Sequence, residues 1–215
     1  MGLNRQPHVL LLTENFPPTR GGTSRWFYNL YSRFEAGSIT VVTKRSQGTL
    51  PGDLEIKPID WPLQEWSILE PRNWSHYCLL AAQIYRISRE KRTSILHAGR
   101  CQPEGTIAYI LKRIYGTQYL VFVHGEDIEV AWRCREYRFL VQQVLRSARM
   151  LVANSRFSAR LLQQKWQVPR GKIRVLHPGV DIGYFTPKSL TTEGGYFIVL
   201  CPGRLQQRKG QDTLL

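Results

Sequence analysis

The chain has 215 residues, 42% of them hydrophobic and 21% charged. That is enough for one well-buried domain, or a domain with part of a second, and too apolar for a disordered chain. Lys and Arg number 30 against 16 Asp and Glu, a net charge of +14, which favours an anionic partner (nucleic acid, an acidic membrane face or a phosphorylated small molecule) without choosing among them.

Strand-like and helix-like stretches alternate along the chain. His8 to Thr13 is an apolar run of the kind buried on both faces of a parallel sheet. After Pro17-Pro18 and Gly21-Gly22, the residues Trp26, Phe27, Leu30, Tyr31 and Phe34 recur at helical spacing, with Thr23 or Ser24 as N-cap. Ser38 to Thr43 and the weaker Leu54 to Ile59 read as strands, and Pro71 to Lys91 as a helix. Ser94 to Ala98 is a strand, Glu104 to Tyr115 a helix, and Tyr119 to Val123 the clearest central strand, ending at His124-Gly125. One helix is expected over Val130 to Ser147 and a strand at Met150 to Ala153. A further helix is capped by Asn154 or Ser155, and a last strand runs from Ile173 to Leu176.

This alternation predicts an α/β fold, a doubly wound, mostly parallel Rossmann-like sheet over residues 1–185. Residues 186–195 read as a linker, rich in Pro, Ser, Thr and Gly. Tyr196 to Cys201 then begins a new buried-type strand, followed by a basic loop and a helix start at Gln211 to Leu215. Five residues cannot sustain a helix against its nucleation cost, so residues 196–215 read as the truncated start of a second Rossmann-like domain.

Cys78, Cys101, Cys134 and Cys201 form no C-x-x-C pair and read as reduced, mostly buried thiols. Val9 to Leu12 is too short for a signal-peptide core, and no apolar run approaches a spanning helix. The expected compartment is the cytoplasm, with peripheral contact at the inner face of the membrane. Between Glu136 and Asp181 there is no acidic side chain, yet Arg138, Arg146, Arg149, Arg156, Arg160, Lys165, Arg170, Lys172 and Arg174 fall there. Such a run is either a solvated basic surface or a face for anionic lipid, where each basic residue contributes about 1 kcal/mol.

Ligands of doubly wound sheets sit outside the carboxyl ends of the strands, where the chemically active side chains of this sequence gather. Gly21-Gly22 between a strand and a helix lets backbone approach a ligand and presents helix N–H groups to a phosphate, although taken alone it reads first as a plain strand-to-helix turn and G-x-G-x-x-G is absent. His97 to Cys101 follows another strand and includes Arg100, a candidate acceptor or sugar contact. His124 can donate to a phosphate or sugar hydroxyl and move protons near neutral pH; the alternative is a structural histidine bonded to backbone. Glu126 and Asp127 either order that loop or meet a sugar hydroxyl. In Gly203 to Gly210, Arg204 and Lys209 flank a turn and can neutralise a diphosphate. There is no P-loop and no D-x-D, so neither ATP hydrolysis nor a paired-carboxylate metal site is indicated.

These stretches, in this order, resemble the retaining glycosyltransferases of family 4. The matching pieces are Pro17-Pro18 through Gly21-Gly22, His124-Gly125, Val152-Ala153-Asn154-Ser155, His177-Pro178-Gly179-Val180-Asp181, and Gly203-Arg204 with Lys209-Gly210. The last fits a G-R-x-x-x-x-K-G pattern at the start of the donor domain and is the most specific. The resemblance implies two facing Rossmann-like domains that transfer a sugar from a nucleotide sugar to a glycan or lipid-linked acceptor, with no cofactor and no metal. Gly21, Gly22, Arg204 and Lys209 would hold the donor diphosphate and His124 would face the reacting centre. The family's paired glutamates lie beyond this chain, so it is expected to be inactive alone. A nucleotide-sugar epimerase of the same plan is the enzyme alternative, separated by whether the sugar is epimerised or transferred. A non-catalytic basic binding module is the other. Nucleic acid is the weakest partner, with no helix-turn-helix or RNA-binding strand pattern present.

Overall fold

The computed structural model describes residues 7–49, 51–63, 70–186, 199–203, 205 and 207–214. It divides into two compact units, residues 1–179 and 180–215. In the first, seven strands form one sheet: β1 (Val9–Thr13), β2 (Ile39–Lys44), β3 (Glu55–Ile59), β4 (Ile95–Ala98), β5 (Tyr119–Val123), β6 (Met150–Ala153) and β7 (Ile173–Val175). The order is β3-β2-β1-β4-β5-β6-β7 and every pairing is parallel. The chain winds outward from β1 in one direction and then from β4 in the other. The switch point therefore lies between the carboxyl ends of β1 and β4, where doubly wound sheets place their ligands.

The helices between the strands are α1 (Gly22–Tyr31), α2 (Trp74–Glu90), α3 (Thr106–Tyr115), α4 (Glu126–Arg133), α5 (Arg135–Ser147) and α6 (Arg156–Gln164). Strand residues alternate between faces. Leu10 and Leu12 join a large core with Ile84 of α2, Ile107 and Leu111 of α3, Val141 of α5 and Leu162 of α6. Leu11 points the other way, into a smaller core with Trp26, Phe27 and Tyr31 of α1 and with Phe122. Among the described residues, α1 is the one helix contributing to that second core.

Several local expectations are corrected. Neither Thr23 nor Ser24 caps α1: the N-cap is Gly21, at φ +157°, and no side chain caps it. Ser155, rather than Asn154, caps α6, its hydroxyl accepting from the Ser158 N–H. The helix from Pro71 opens as a 3₁₀ turn over Pro71–Asn73, and the one at Glu104 is preceded by a π turn, Cys101–Gly105. The single helix expected over Val130 to Ser147 is two, starting earlier and broken at Cys134, whose backbone is extended (φ −111°, ψ 127°). An unbroken helix from residue 126 to 147 would run about 33 Å beside five-residue strands of about 17 Å, so the chain turns before α5 packs along the sheet. The thiols are mostly not buried: Cys101 is, Cys134 is intermediate, and Cys78 and Cys201 are exposed.

In the second unit the Asp181 carboxylate accepts from the Gly183 and Tyr184 N–H groups at 3.0 and 3.2 Å. A 3₁₀ turn over Gln207–Lys209 leads to α7 (Gln211–Leu214). Arg204, most of the linker 186–195 and the first half of the expected strand, 196–198, lie outside the described residues, and the described remainder, Val199 to Cys201, is not in a strand.

Candidate functional site

The switch point is built from three strand ends. After β1, Phe16 is buried and sets its ring edge against Tyr28 of α1, which anchors the segment leading to Gly21. The Gly21 carbonyl accepts from the Arg25 N–H at 3.1 Å, but the N–H groups of the first turn of α1 have no side-chain cap. A helix start left this way is a ready anion site. Gly21 and Gly22 are exposed, and an added Cβ at either would meet nothing within 4 Å.

After β4, the Gly99 N–H donates to the Leu12 carbonyl at 2.8 Å, stitching β4 to β1. The π turn that follows carries Glu104, fully buried. Its Oε1 accepts from the Glu14 N–H at 3.1 Å, so this carboxyl reaches across the switch point to the segment after β1. Burial, opposed by Arg100 and reinforced by Glu14, pushes the Glu104 carboxyl up to about 8. Arg100 in turn stands 3.9 Å from the Glu14 carboxylate. Buried polar atoms of Gln102, Glu104 and Thr106 have no hydrogen-bond partner within the chain, a rare arrangement that costs stability.

After β5, His124 places its ring against the indole of Trp26, centroids 5.6 Å apart and edge-on. Its Nε2 lies 2.9 Å from the Gly99 carbonyl oxygen. A carbonyl can only accept, so the proton is assigned to Nε2. Burial holds the imidazole below its usual value of 6.5, against the opposing pull of Asp127. His124 is therefore a neutral ring whose Nδ1 is an acceptor, suited to a hydroxyl proton rather than to neutralising a phosphate. Gly125, at φ +89°, makes the turn into α4, and a Cβ there would stand 2.8 Å from the Ser158 hydroxyl; only glycine fits.

The structure brings His124, Arg100 and Asp127 to this crevice and sets Glu126 exposed in the first turn of α4. Asp127 Oδ1 accepts from the N–H groups of His124 and Ile128 at 3.2 and 3.0 Å, and its Oδ2 lies 3.5 Å from the Cys101 N–H; it braces the loop. Lys209 is exposed in the second unit. Two participants, Glu104 and Tyr31, are legible in the sequence only as helix residues and not as members of a site, whereas Glu14 opens the stretch Glu14 to Gly22 expected at the end of the first strand. The buried Tyr31 hydroxyl meets His97 Nδ1 at 2.7 Å, and burial lowers His97 to about 4, so the phenol donates to a neutral ring. The Pro-Glu-Gly at 103–105 marks a helix start, and nothing in it signals that the glutamate turns inward.

The model of Glycosyltransferase Family 4 matches residues 20–184, spanning α1, the crevice and β7. The chain belongs to glycosyltransferase family 4. Among curated relatives of this family 4 chain is the GDP-mannose-dependent monoacylated alpha-(1-6)-phosphatidylinositol monomannoside mannosyltransferase of Corynebacterium glutamicum. It is 24% identical over 96% of this chain and 55% of its own length. D-inositol 3-phosphate glycosyltransferase from a Nocardioides species is 35% identical over 34% of the chain and 18% of its own length. The chain thus spans about half, or less, of these relatives. Sucrose-phosphate synthase from Thermosynechococcus elongatus shares the fold at TM-score 0.64 and 14% identity, over 86% of this chain and 51% of that one. HepE from Anabaena, solved with UDP, does so at 0.57 and 15%, over 82% and 45%. Among the described residues no cluster of three or more metal-ligating side chains occurs, and no helix is long and apolar enough to cross a membrane.

Proposed function

We propose that this family 4 chain is the acceptor-side part of a retaining glycosyltransferase that moves a hexosyl group from a nucleotide-diphosphate sugar to a glycan or lipid-linked acceptor. The observation that carries the reading is the pairing of an uncapped helix start, Gly21-Gly22, with a half-buried neutral His124 at one switch point. The first offers amide donors to an anionic group and the second an acceptor to a hydroxyl. In this reading Gly21 and Gly22 lie near the donor diphosphate, and His124 Nδ1 accepts from a sugar hydroxyl at the reacting centre. Arg100 and Glu126 meet the acceptor, while Asp127 holds His124 in place.

Residues 1–185 form the acceptor domain, 186–195 the linker, and 196–215 the start of the donor domain, where Arg204 and Lys209 stabilise the departing diphosphate by fixed positive charge. No cofactor or metal enters this scheme. Two relatives support the ligand classes: HepE was solved with UDP, and the Corynebacterium enzyme is named for GDP-mannose and a phosphatidylinositol mannoside. The working place is the cytoplasm, at the inner face of the membrane.

The test is sugar transfer from UDP-glucose or GDP-mannose by this chain joined to a family 4 donor domain, with the anomeric configuration of the product read by NMR. Retention is expected, and His124→Ala lowers kcat by about 10²-fold or more. Inversion of configuration, or an unchanged kcat in the variant, overturns the corresponding part. Epimerised free sugar in place of a glycoside would favour the epimerase. The 215 residues alone are expected not to turn over, and steady transfer by them would contradict that.

A further inference from the structure

The outer layer of helices carries a cavity that the sugar-transfer scheme leaves unused. The start of α2 (Trp74, Tyr77), Ile110 of α3 and the first turns of α5 (Phe139, Leu140) line about 740 Å³ of open, mainly apolar space, with Arg135 and Glu136 also in its wall, a volume typical of small-molecule sites. Two of its walls, Trp74 and Phe139, are 57% and 64% exposed. Large aromatic side chains exposed together in one patch mark an interaction surface.

A second hollow of about 340 Å³ adjoins it. The two share Arg135 and Phe139, and the second adds Trp132, Arg138 and Lys165. The Arg138 guanidinium lies 5.0 Å over the Trp132 ring, and Lys165 stands 3.6 Å from Glu129. Three cations thus surround this hollow, and two of them, Arg138 and Lys165, belong to the run from 137 to 180 that contains no acidic residue. An apolar slot that opens into a basic one is complementary to an amphiphile with a hydrocarbon tail and an anionic head.

The placement fits the crevice. A helix connecting parallel strands runs back against them, so the first turns of α2 and α5 lie at the carboxyl edge of the sheet, the edge that also carries His124. Between His124-Gly125 and Arg135 runs α4, eight residues and about 12 Å long.

We infer that the paired hollows hold an anionic membrane phospholipid, its acyl chain between Trp74 and Phe139 and its phosphate against Arg135, Arg138 and Lys165. This deepens the lipid-linked arm of the function proposed above, yet its test needs no sugar transfer, so either can fail while the other stands.

The 215-residue chain is co-sedimented with vesicles of phosphatidylcholine, with and without phosphatidylglycerol. Binding is expected only with phosphatidylglycerol, and Phe139→Asp and Arg138→Glu each weaken it about tenfold. Phe157→Asp and Arg160→Glu, at exposed positions of α6 outside both hollows, change it less than twofold. Brominated acyl chains quench tryptophan fluorescence, and Trp74→Phe removes much of that quench. Loss of binding in Arg138→Glu and Arg160→Glu alike, with Phe139→Asp unaffected, means a plain basic surface and overturns the inference. An unchanged quench in Trp74→Phe overturns the acyl placement. Two results would show the apolar slot already filled by protein, with the same consequence: a large fall in Tm for Phe139→Asp, or a dimer that this variant dissociates.

Discussion

The two faces of the sheet are packed by cores of different character. On one, α2, α3, α5 and α6 lay Ile84, Leu111, Val141 and Leu162 against Leu10, Leu12, Val121 and Leu151, a broad and mainly aliphatic contact. On the other, α1 packs Trp26, Phe27 and Tyr31 around Phe122, and the rings of His97 and His124 stand within about 6 Å of that cluster. The aliphatic core gives stability through area. The aromatic one also sets the protonation of two histidines, because rings packed edge to face exclude water from them. The face covered by fewer elements is therefore the one tied to the crevice.

The sharpest way to break this comparison is one large truncation on each face. Phe27→Ala and Ile84→Ala remove fully buried side chains and cost about 3–5 and about 2–5 kcal/mol by urea denaturation. Only Phe27→Ala should move the NMR titration of His124 upward, toward 6.5; an equal movement in Ile84→Ala would erase the distinction between the faces. Gly125→Ala comes next, at about 1–3 kcal/mol. It combines a φ of +89° with a contact on Ser158, and the His124 ring signals should shift with it.

The third prediction concerns pH. Folded Glu104 keeps its proton to about pH 8, whereas an ordinary glutamate releases it near 4.5. The unfolded chain binds fewer protons in that window, so this group makes stability fall as pH rises from about 4.5 to about 8. His97, lowered to about 4 from 6.5, acts oppositely, its contribution being lost as pH falls from about 6.5 to about 4. Glu104→Gln should remove the first slope and leave the second; parallel pH curves for variant and wild type would refute the buried acid. Smallest is Arg45→Ala, which breaks the Arg45–Asp60 pair. Its side chains are 65% and 89% exposed, and the loss should stay within about 1 kcal/mol.

Legibility in the sequence followed the range of the interactions involved. β5 and β6 have the predicted limits because Tyr119 to Val123 and Met150 to Ala153 are short apolar runs, as strands covered on both faces must be. His124 was legible as the residue ending such a strand. The break at Cys134 was not, since apolar periodicity continues through it and only the length of the sheet forbids one helix. Nor was the inward turn of Glu104, a polar residue that any helix start accommodates. The buried setting expected for Cys78 failed for a related reason: it is exposed in the wall of an open groove, and a thiol tolerates burial or water.

By itself the sequence determined the alternation of strands and helices, the glycines at the strand ends and the family to which the chain belongs, since each rests on local periodicity or on a short motif. The tertiary structure decided the strand order β3-β2-β1-β4-β5-β6-β7, and with it the meeting of Glu14, Gly99, Glu104 and His124 from three separate strand ends. It also decided which acids and histidines are stripped of water. Pairing and burial join residues up to 90 positions apart, and no window along the chain contains both partners.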